Sequence, residues 1–314
     1  MNSLINKLKN IKTIISFAIA ILLLYLLFNK LDLKEFIQVI SKTNLALFLF
    51  ALVIFFLVFP ILALRWNILL KNIGLKIKFY DLNAFILLQW FANSIIPAKM
   101  GDLYKAYLIK KYHKFSMSKI IGTIFVERLF DLIFVAVLSI GLIGLVFKGI
   151  FPDILVLPTQ IIIALITLLI ISIIVMKTIK EKIKKILPEK IKRIFDNFEQ
   201  GVSNNLKPKD IPLISIYSLL SIFIQVIVMF LITTSIGLNI TLTQAAFITM
   251  VAGLVTIIPI TPAGVGVGEI TITLILLMLN FDKNLAISAA ILTRTTYWLI
   301  LIFGGIFYFI TSKK

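Results

Sequence analysis

A chain of 314 residues that is 60% hydrophobic and only 15% charged cannot supply the polar coat of a soluble domain of its size. Its apolar residues run continuously where a barrel strand would alternate, so the composition excludes a β-barrel and predicts an all-α, polytopic helical membrane protein. The absence of cysteine excludes disulfides and thiolate metal sites, and the net charge of +18 first asks which side of the membrane the lysines occupy.

In chain order, residues 2–12 are short and basic and residues 13–28 largely apolar. No small-x-small cleavage site precedes Leu31-Asp32, which reads as an uncleaved first span with a cytoplasmic N-terminus. Residues 44–64 form a full second span ending at Arg65-Trp66, read as an interfacial anchor pair, before a basic loop with Lys71, Lys76 and Lys78. Residues 82–96 stretch over roughly 22 Å as a helix, short of the ~30 Å hydrocarbon core. Basic residues flank this segment on both sides, and a re-entrant hairpin satisfies both.

Residues 120–147 are a long span carrying Glu127, Arg128 and Asp131, residues 148–158 an outer loop, and residues 159–176 a return inward. Residues 177–210, with ten Lys/Arg and five Asp/Glu, read as a basic amphipathic helix on the cytoplasmic surface, broken at Pro188. Residues 211–236 cross outward. A second short apolar segment, 245–258, leads into Pro259, Pro262, Gly264, Gly266 and Gly268. Glu269 then opens a helix to residue 279, and 285–310 is the last span, with a cytoplasmic C-terminus. Of the 32 Lys and Arg, this topology puts twenty-five inside, five outside and two, Arg128 and Arg294, within spans. The positive-inside bias thus predicts about six full spans plus two hairpins, all in the cytoplasmic membrane.

Two stretches share one plan. Residues 85–102 and 247–269 each run from Phe through Ile-Ile-Pro to glycine and an acid, with twelve residues from Phe85 to Pro97 and from Phe247 to Pro259. Ile73-Gly74-Leu75 precedes the first copy much as Ile236-Gly237-Leu238 precedes the second. Arg128 follows Asp102 by 26 residues and Arg294 follows Glu269 by 25. Four coincidences in one order indicate a duplication within a single transmembrane domain, with repeat 1 at about 44–147 and repeat 2 at about 211–311. The first copy is entered through an inward span and the second through an outward one, so the copies are inverted, the signature of secondary transporters.

Pro97-Ala-Lys99-Met-Gly101-Asp102 and the 259–269 segment read as hairpin tips, where freed amides at a helix start suit an anionic lipid headgroup. The bland alternative is an acid that caps its own helix. Glu127, Arg128 and Asp131 are costly in lipid, roughly 2.5 to 3.5 kcal/mol each near a helix centre, so they face protein or water. They are either a binding cluster, with Asp102, Glu269 and Arg294 beside them, or a salt-bridge latch. Lys105 and its neighbours and the 177–193 stretch serve as topology determinants against anionic lipid. His113, the one histidine, has no partner for a metal and reads as a surface residue. No catalytic constellation, metal-ligand spacing or phosphate-binding fingerprint is present, no cofactor is implied, and nucleic acid is not an expected partner.

These residues resemble the flippase-like integral membrane proteins related to the transmembrane region of lysylphosphatidylglycerol synthases. The likeness rests on Arg65-Trp66, Asn93-Ser-Ile-Ile-Pro97 with Gly101-Asp102 and Lys105, the Glu127-Arg128-x-x-Asp131 group, and Pro259-x-x-Pro262-x-Gly264-Val-Gly266-x-x-Glu269, and it runs from about residue 12 to 309. Departures are Lys99 and Lys105 where arginine is usual, Asp102 where glutamate is common, and Ala263 where a second glycine is expected. The lysines lack arginine's bidentate fork, which bears on headgroup identity. The resemblance implies translocation of an aminoacylated or glycosylated lipid between leaflets, with substrate contacts at Pro97, Lys99, Gly101, Asp102, Lys105, Glu127, Arg128, Asp131, Pro259, Pro262, Gly264, Gly266, Glu269 and Arg294. It does not imply lipid aminoacylation, for which this chain has no soluble domain. Two other readings stay open at this point: a membrane scaffold for a separately encoded glycosyl- or aminoacyltransferase, and an intramembrane enzyme acting on polyprenyl phosphate.

Overall fold

The computed structural model describes residues 11–96, 99–149, 153–186, 188–256 and 261–312. Pro97 and Pro259 lie outside these residues. Among the described residues there is no strand. The helices are α1 (Ile11–Phe28), α2 (Leu33–Lys42), α3 (Leu45–Phe55), α4 (Val58–Asn72), α5 (Phe79–Ile95), α6 (Gly101–His113), α7 (Met117–Val146), α8 (Asp153–Ile186), α9 (Glu189–Ser203), α10 (Ile211–Ser235), α11 (Leu242–Val255), α12 (Val267–Met278), α13 (Lys283–Thr293) and α14 (Thr295–Ser312), with a 3-10 turn at Pro262–Gly264.

Four helical stretches among the described residues are long and apolar enough to cross a membrane: Leu45–Asn72, Met117–Val146, Ile211–Ser235 and Lys283–Ile310. A fifth crossing results if α1 and α2, bent by 87°, are taken as one span. The sequence reading counts six because it takes residues 13–28 as a span on their own and 159–176 as another. In the structure the latter region holds a shorter apolar stretch, Thr159–Ser172, inside the long helix α8. That helix continues to Ile186, nine residues beyond the start of the expected surface segment, and the chain breaks at Pro188 as the sequence suggests.

Local chemistry sets the helix ends. Asn44 accepts a bond from the Leu47 N–H, Asp282 from Leu285, and Thr241 and Gln244 form a reciprocal capping box. The stretch Leu45–Asn72 is interrupted at Phe56–Leu57 because Pro60 has no N–H for the Phe56 carbonyl one turn back. Helices α4 and α10 end alike. Ile73 and Ile236 have φ/ψ near −97°/7° and −97°/9°, and are followed by Gly74 at φ +85° and Gly237 at φ +78°. In each case the next leucine amide, Leu75 or Leu238, reaches back to close the turn, on Leu70 and Thr233.

Two apolar cores share α10. One gathers α3 to α7 around Trp66, Leu69, Leu70, Leu82, Ile86 and Ile120, and the other gathers α11 to α13 around Phe247, Ile248, Ile275 and Leu276. Helix α9 is not a free surface helix. It lies against α7, with Glu199, Gly201 and Val202 buried and the Phe125 and Phe198 rings 5.8 Å apart. Large apolar side chains face outward on the long helices, among them Phe50, Val53, Val137, Phe223 and Ile306, as a lipid-facing surface requires.

The pairing of α3–α4 with α10 is tied at both ends. The Asn44 N–H donates to the Ser235 carbonyl at 2.7 Å, and the Asn72 side-chain amide donates to Asp210 Oδ2 at 3.1 Å. The start of one element meets the end of the other twice over, so the two run antiparallel. Gly74 and Gly237 therefore sit at opposite ends of the pair. The chain's lack of cysteine allows a direct check with Lys76→Cys and Asn239→Cys, both at exposed positions. A membrane-impermeant maleimide added to intact cells should label Asn239→Cys alone, and Lys76→Cys only after permeabilisation. Labelling of both from one side would refute the antiparallel arrangement across the bilayer.

Candidate functional site

The first cluster is built on α7. Glu127 and Asp131, four residues apart, lie on one face and meet Arg65 of α4, and Arg128, about 100° round, reaches Asp102 at the start of α6. Arg65 Nη1 lies 2.5 Å from Asp131 Oδ1 and 2.9 Å from the Ser218 hydroxyl of α10, and its Nη2 lies 3.4 Å from Glu127 Oε1. Lys105 Nζ sits 2.6 Å from Glu127 Oε2 and 4.0 Å from the centroid of the Trp66 ring. Arg128 holds Asp102 with two parallel bonds of 2.7 Å each and also touches Asp131 at 3.2 Å. Gln89 of α5 donates to Asp102 at 2.6 Å.

Three cations therefore face three carboxylates, and the cluster is neutral. It also has two ends. The side chains of Arg65, Lys105 and Glu127 are 1–3% exposed, whereas Arg128 is 40%, Asp131 30% and Asp102 15% exposed. Glu127 lies ten residues into α7, roughly 15 Å along the helix at 1.5 Å per residue, deep enough that an unmatched charge would be expensive.

The second cluster is smaller. Glu269, in the first turn of α12, pairs with Arg294, which lies between α13 and α14. The Glu269 carboxylate accepts Arg294 Nε and, at 2.7 Å, Nη2, together with the Gly266 N–H at 2.8 Å. Arg294 also donates to the carbonyls of Ala263 at 3.0 Å and Gly264 at 3.2 Å. The Tyr297 ring covers its guanidinium at 4.7 Å and stacks at 6.3 Å on Trp90 of α5. Four of the five guanidinium N–H groups are thus committed to the hairpin itself.

The sequence-named residues fall into these two sets. Gly101, Asp102, Lys105, Glu127, Arg128 and Asp131 assemble in the first, and Pro262, Gly264, Gly266, Glu269 and Arg294 in the second. No ion pair or hydrogen bond joins them among the described residues, so Glu269 and Arg294 do not belong to the Glu127 cluster as the first sequence reading allowed. Lys99 sits at the first tip with a left-handed backbone (φ +51°) and no ion pair among the described residues.

Two expectations are corrected. Arg65-Trp66 is no interfacial anchor: α4 continues to Asn72, and both residues are buried, at 2% and 0% exposure. Lys105 is likewise buried rather than a surface topology determinant, at 1% exposure. Gln89, Asn93 and Ser218 were missed as partners. The helical path through Arg65 was legible, since no breaker occurs between Leu64 and Gly74.

The family model of the lysylphosphatidylglycerol synthase transmembrane region matches residues 13–304. The chain belongs to that family. A UPF0104 membrane protein of Methanocaldococcus jannaschii is 35% identical over 71% of this chain and 95% of its own length. A UPF0104 membrane protein of Pyrococcus horikoshii is 23% identical over 86% of this chain and 88% of its own. The glycosyltransferase AglD of Haloferax volcanii is 30% identical over 44% of this chain but only 21% of its own length.

In this member of the lysylphosphatidylglycerol synthase transmembrane-region family, both hairpins depend on tight backbone geometry. A Cβ on Gly101 would lie 2.1 Å from the Gln89 carbonyl oxygen and 2.6 Å from Asn93 Oδ1, whose bond to the Gly101 N–H closes the first hairpin at 2.7 Å. Ala263, where glycine is the usual residue by resemblance, has φ +49°, a left-handed conformation that costs an L-residue about 1–2 kcal/mol. Opposite outcomes follow. Gly101→Ala should lower the detergent-solubilised melting temperature by an amount corresponding to about 1–3 kcal/mol, while Ala263→Gly should leave it equal or raise it by up to ~1 kcal/mol.

Proposed function

We propose that this protein is a lipid translocase of the cytoplasmic membrane, with both termini cytoplasmic, moving an aminoacylated or glycosylated anionic lipid between leaflets. The observation that carries the reading is the antiparallel pair formed by the entry helices of two look-alike hairpins, each hairpin joining an acid at a helix start to an arginine about 25 residues on. Such a pair supports an inverted repeat, and inverted repeats with broken helices are how secondary transporters build a site that opens to either face.

The charged end of the first cluster suits the phosphate of the lipid. Lys99 has no carboxylate of its own among the described residues, Arg128 is part-exposed and keeps two N–H groups beyond its three bonds to Asp102 and Asp131, and the N-terminus of α6 stands beside both. Dipole and cation together favour an anion there. The buried end, Arg65, Lys105 and Glu127, is the latch that holds α4, α6 and α7 together.

Leaflet-specific dithionite quenching of fluorescent phosphatidylglycerol in proteoliposomes tests this. The chain should speed movement above empty liposomes, and Arg128→Gln should lower the initial rate by about tenfold to a hundredfold, the loss of a charged hydrogen bond, at normal folded yield. Lost yield instead would make Arg128 another latch residue. A second reading, a membrane scaffold for a glycosyltransferase, draws on the partial likeness to AglD, and the absence of movement for any charged lipid would favour it.

A further inference from the structure

Beside the second hairpin lies a cavity of about 130 Å³ between α10, α11, α12, α13 and α14. A single water needs roughly 10–15 Å³ in this measure, so the space is large enough for a sugar ring. Its polar lining comes from Gln225, Thr249, Thr256, Thr293, Thr296 and Tyr297, together with the Glu269–Arg294 pair.

The hydrogen-bond state of this lining restricts what it can hold. Thr249, Thr256, Thr293 and Thr296 each donate their hydroxyl proton to a carbonyl of their own helix region, at 2.7, 2.9, 2.8 and 2.8 Å. Their oxygens are left as acceptors. Gln225 donates one N–H to the Ser221 carbonyl at 3.2 Å, leaving its amide oxygen and a second N–H. The remaining side-chain donors are few: that N–H, one on Arg294, and the Tyr297 hydroxyl.

A phosphate requires a surplus of donors and of positive charge, and here the single cation is already neutralised. An ammonium would find hydrogen-bond acceptors here, but it would lie beside the Arg294 guanidinium with no carboxylate to offset the second charge, because Glu269 is taken by Arg294 and Gly266. A neutral group with several hydroxyls both donates to the threonine oxygens and accepts from the three free side-chain donors. We infer that this cavity binds the uncharged polyhydroxyl part of a lipid headgroup, so that the transported lipid is glycosyl- or polyol-bearing rather than aminoacylated. The inference rests on the translocase reading for its purpose, but its site can be tested by binding alone.

The test is lipid adduct formation by native mass spectrometry on the purified full chain, with phosphatidylinositol, phosphatidic acid and lysyl-phosphatidylglycerol as probes. Phosphatidylinositol should bind about tenfold or more tightly than either, from two or more added hydrogen bonds. In the shape-preserving double variant Thr249→Val/Thr293→Val, checked for an unchanged melting temperature, its affinity should fall to near that of phosphatidic acid. Tightest binding of lysyl-phosphatidylglycerol or phosphatidic acid would overturn the inference, and so would a preference for phosphatidylinositol that survives in the variant. Preferential phosphatidylinositol binding by a chain that moves no lipid would uphold this site and refute the translocase reading.

Discussion

Charge inside an apolar bundle is tolerated only where it is matched, and that constraint organises this protein. Arg65, Lys105 and Glu127 are almost wholly buried on three different helices, α4, α6 and α7. None is stable there without the others, because removing one partner leaves the penalty of an isolated ion in low dielectric. The pairing therefore fixes how the first hairpin helix sits against the two long helices. Trp66 adds a ring under the Lys105 ammonium and bonds Thr123 at 3.2 Å, so the same lysine ties packing to electrostatics.

The two hairpins solve the same problem differently. In the first, one acid at the helix start is held by Arg128 and Gln89 and joined through Asp131 to a chain of further charges. In the second, Glu269 and Arg294 satisfy one another, and the rest of the guanidinium is spent on the backbone of the hairpin tip. The first keeps a solvent-reachable cation, and the second keeps a hydroxyl-lined hollow.

Much of this was legible before any coordinates. The twelve-residue Phe-to-Pro interval and the paired Ile-Gly-Leu endings announced that two segments share a plan, and both endings adopt the same helix-closing turn. The four-residue spacing of Glu127 and Asp131 placed them on one face, where Arg65 meets both. What misled was local context. Arg65-Trp66 follows an apolar run and precedes lysines, the usual look of a membrane border, although the helix has two further turns to run. Lys105 sits among lysines that do face water, and only tertiary packing distinguishes it. The break at Arg294 lacks proline or glycine, so no residue type marked it.

The most direct test of this account is a double-mutant cycle on Lys105 and Glu127, read as unfolding free energy of the purified chain in detergent. With Lys105→Met and Glu127→Gln, each single change should cost about 3–5 kcal/mol and the double change should recover most of that loss. Losses that simply add in the double variant would mean the two side chains do not depend on each other, and would contradict matched burial of charge as the basis of the fold.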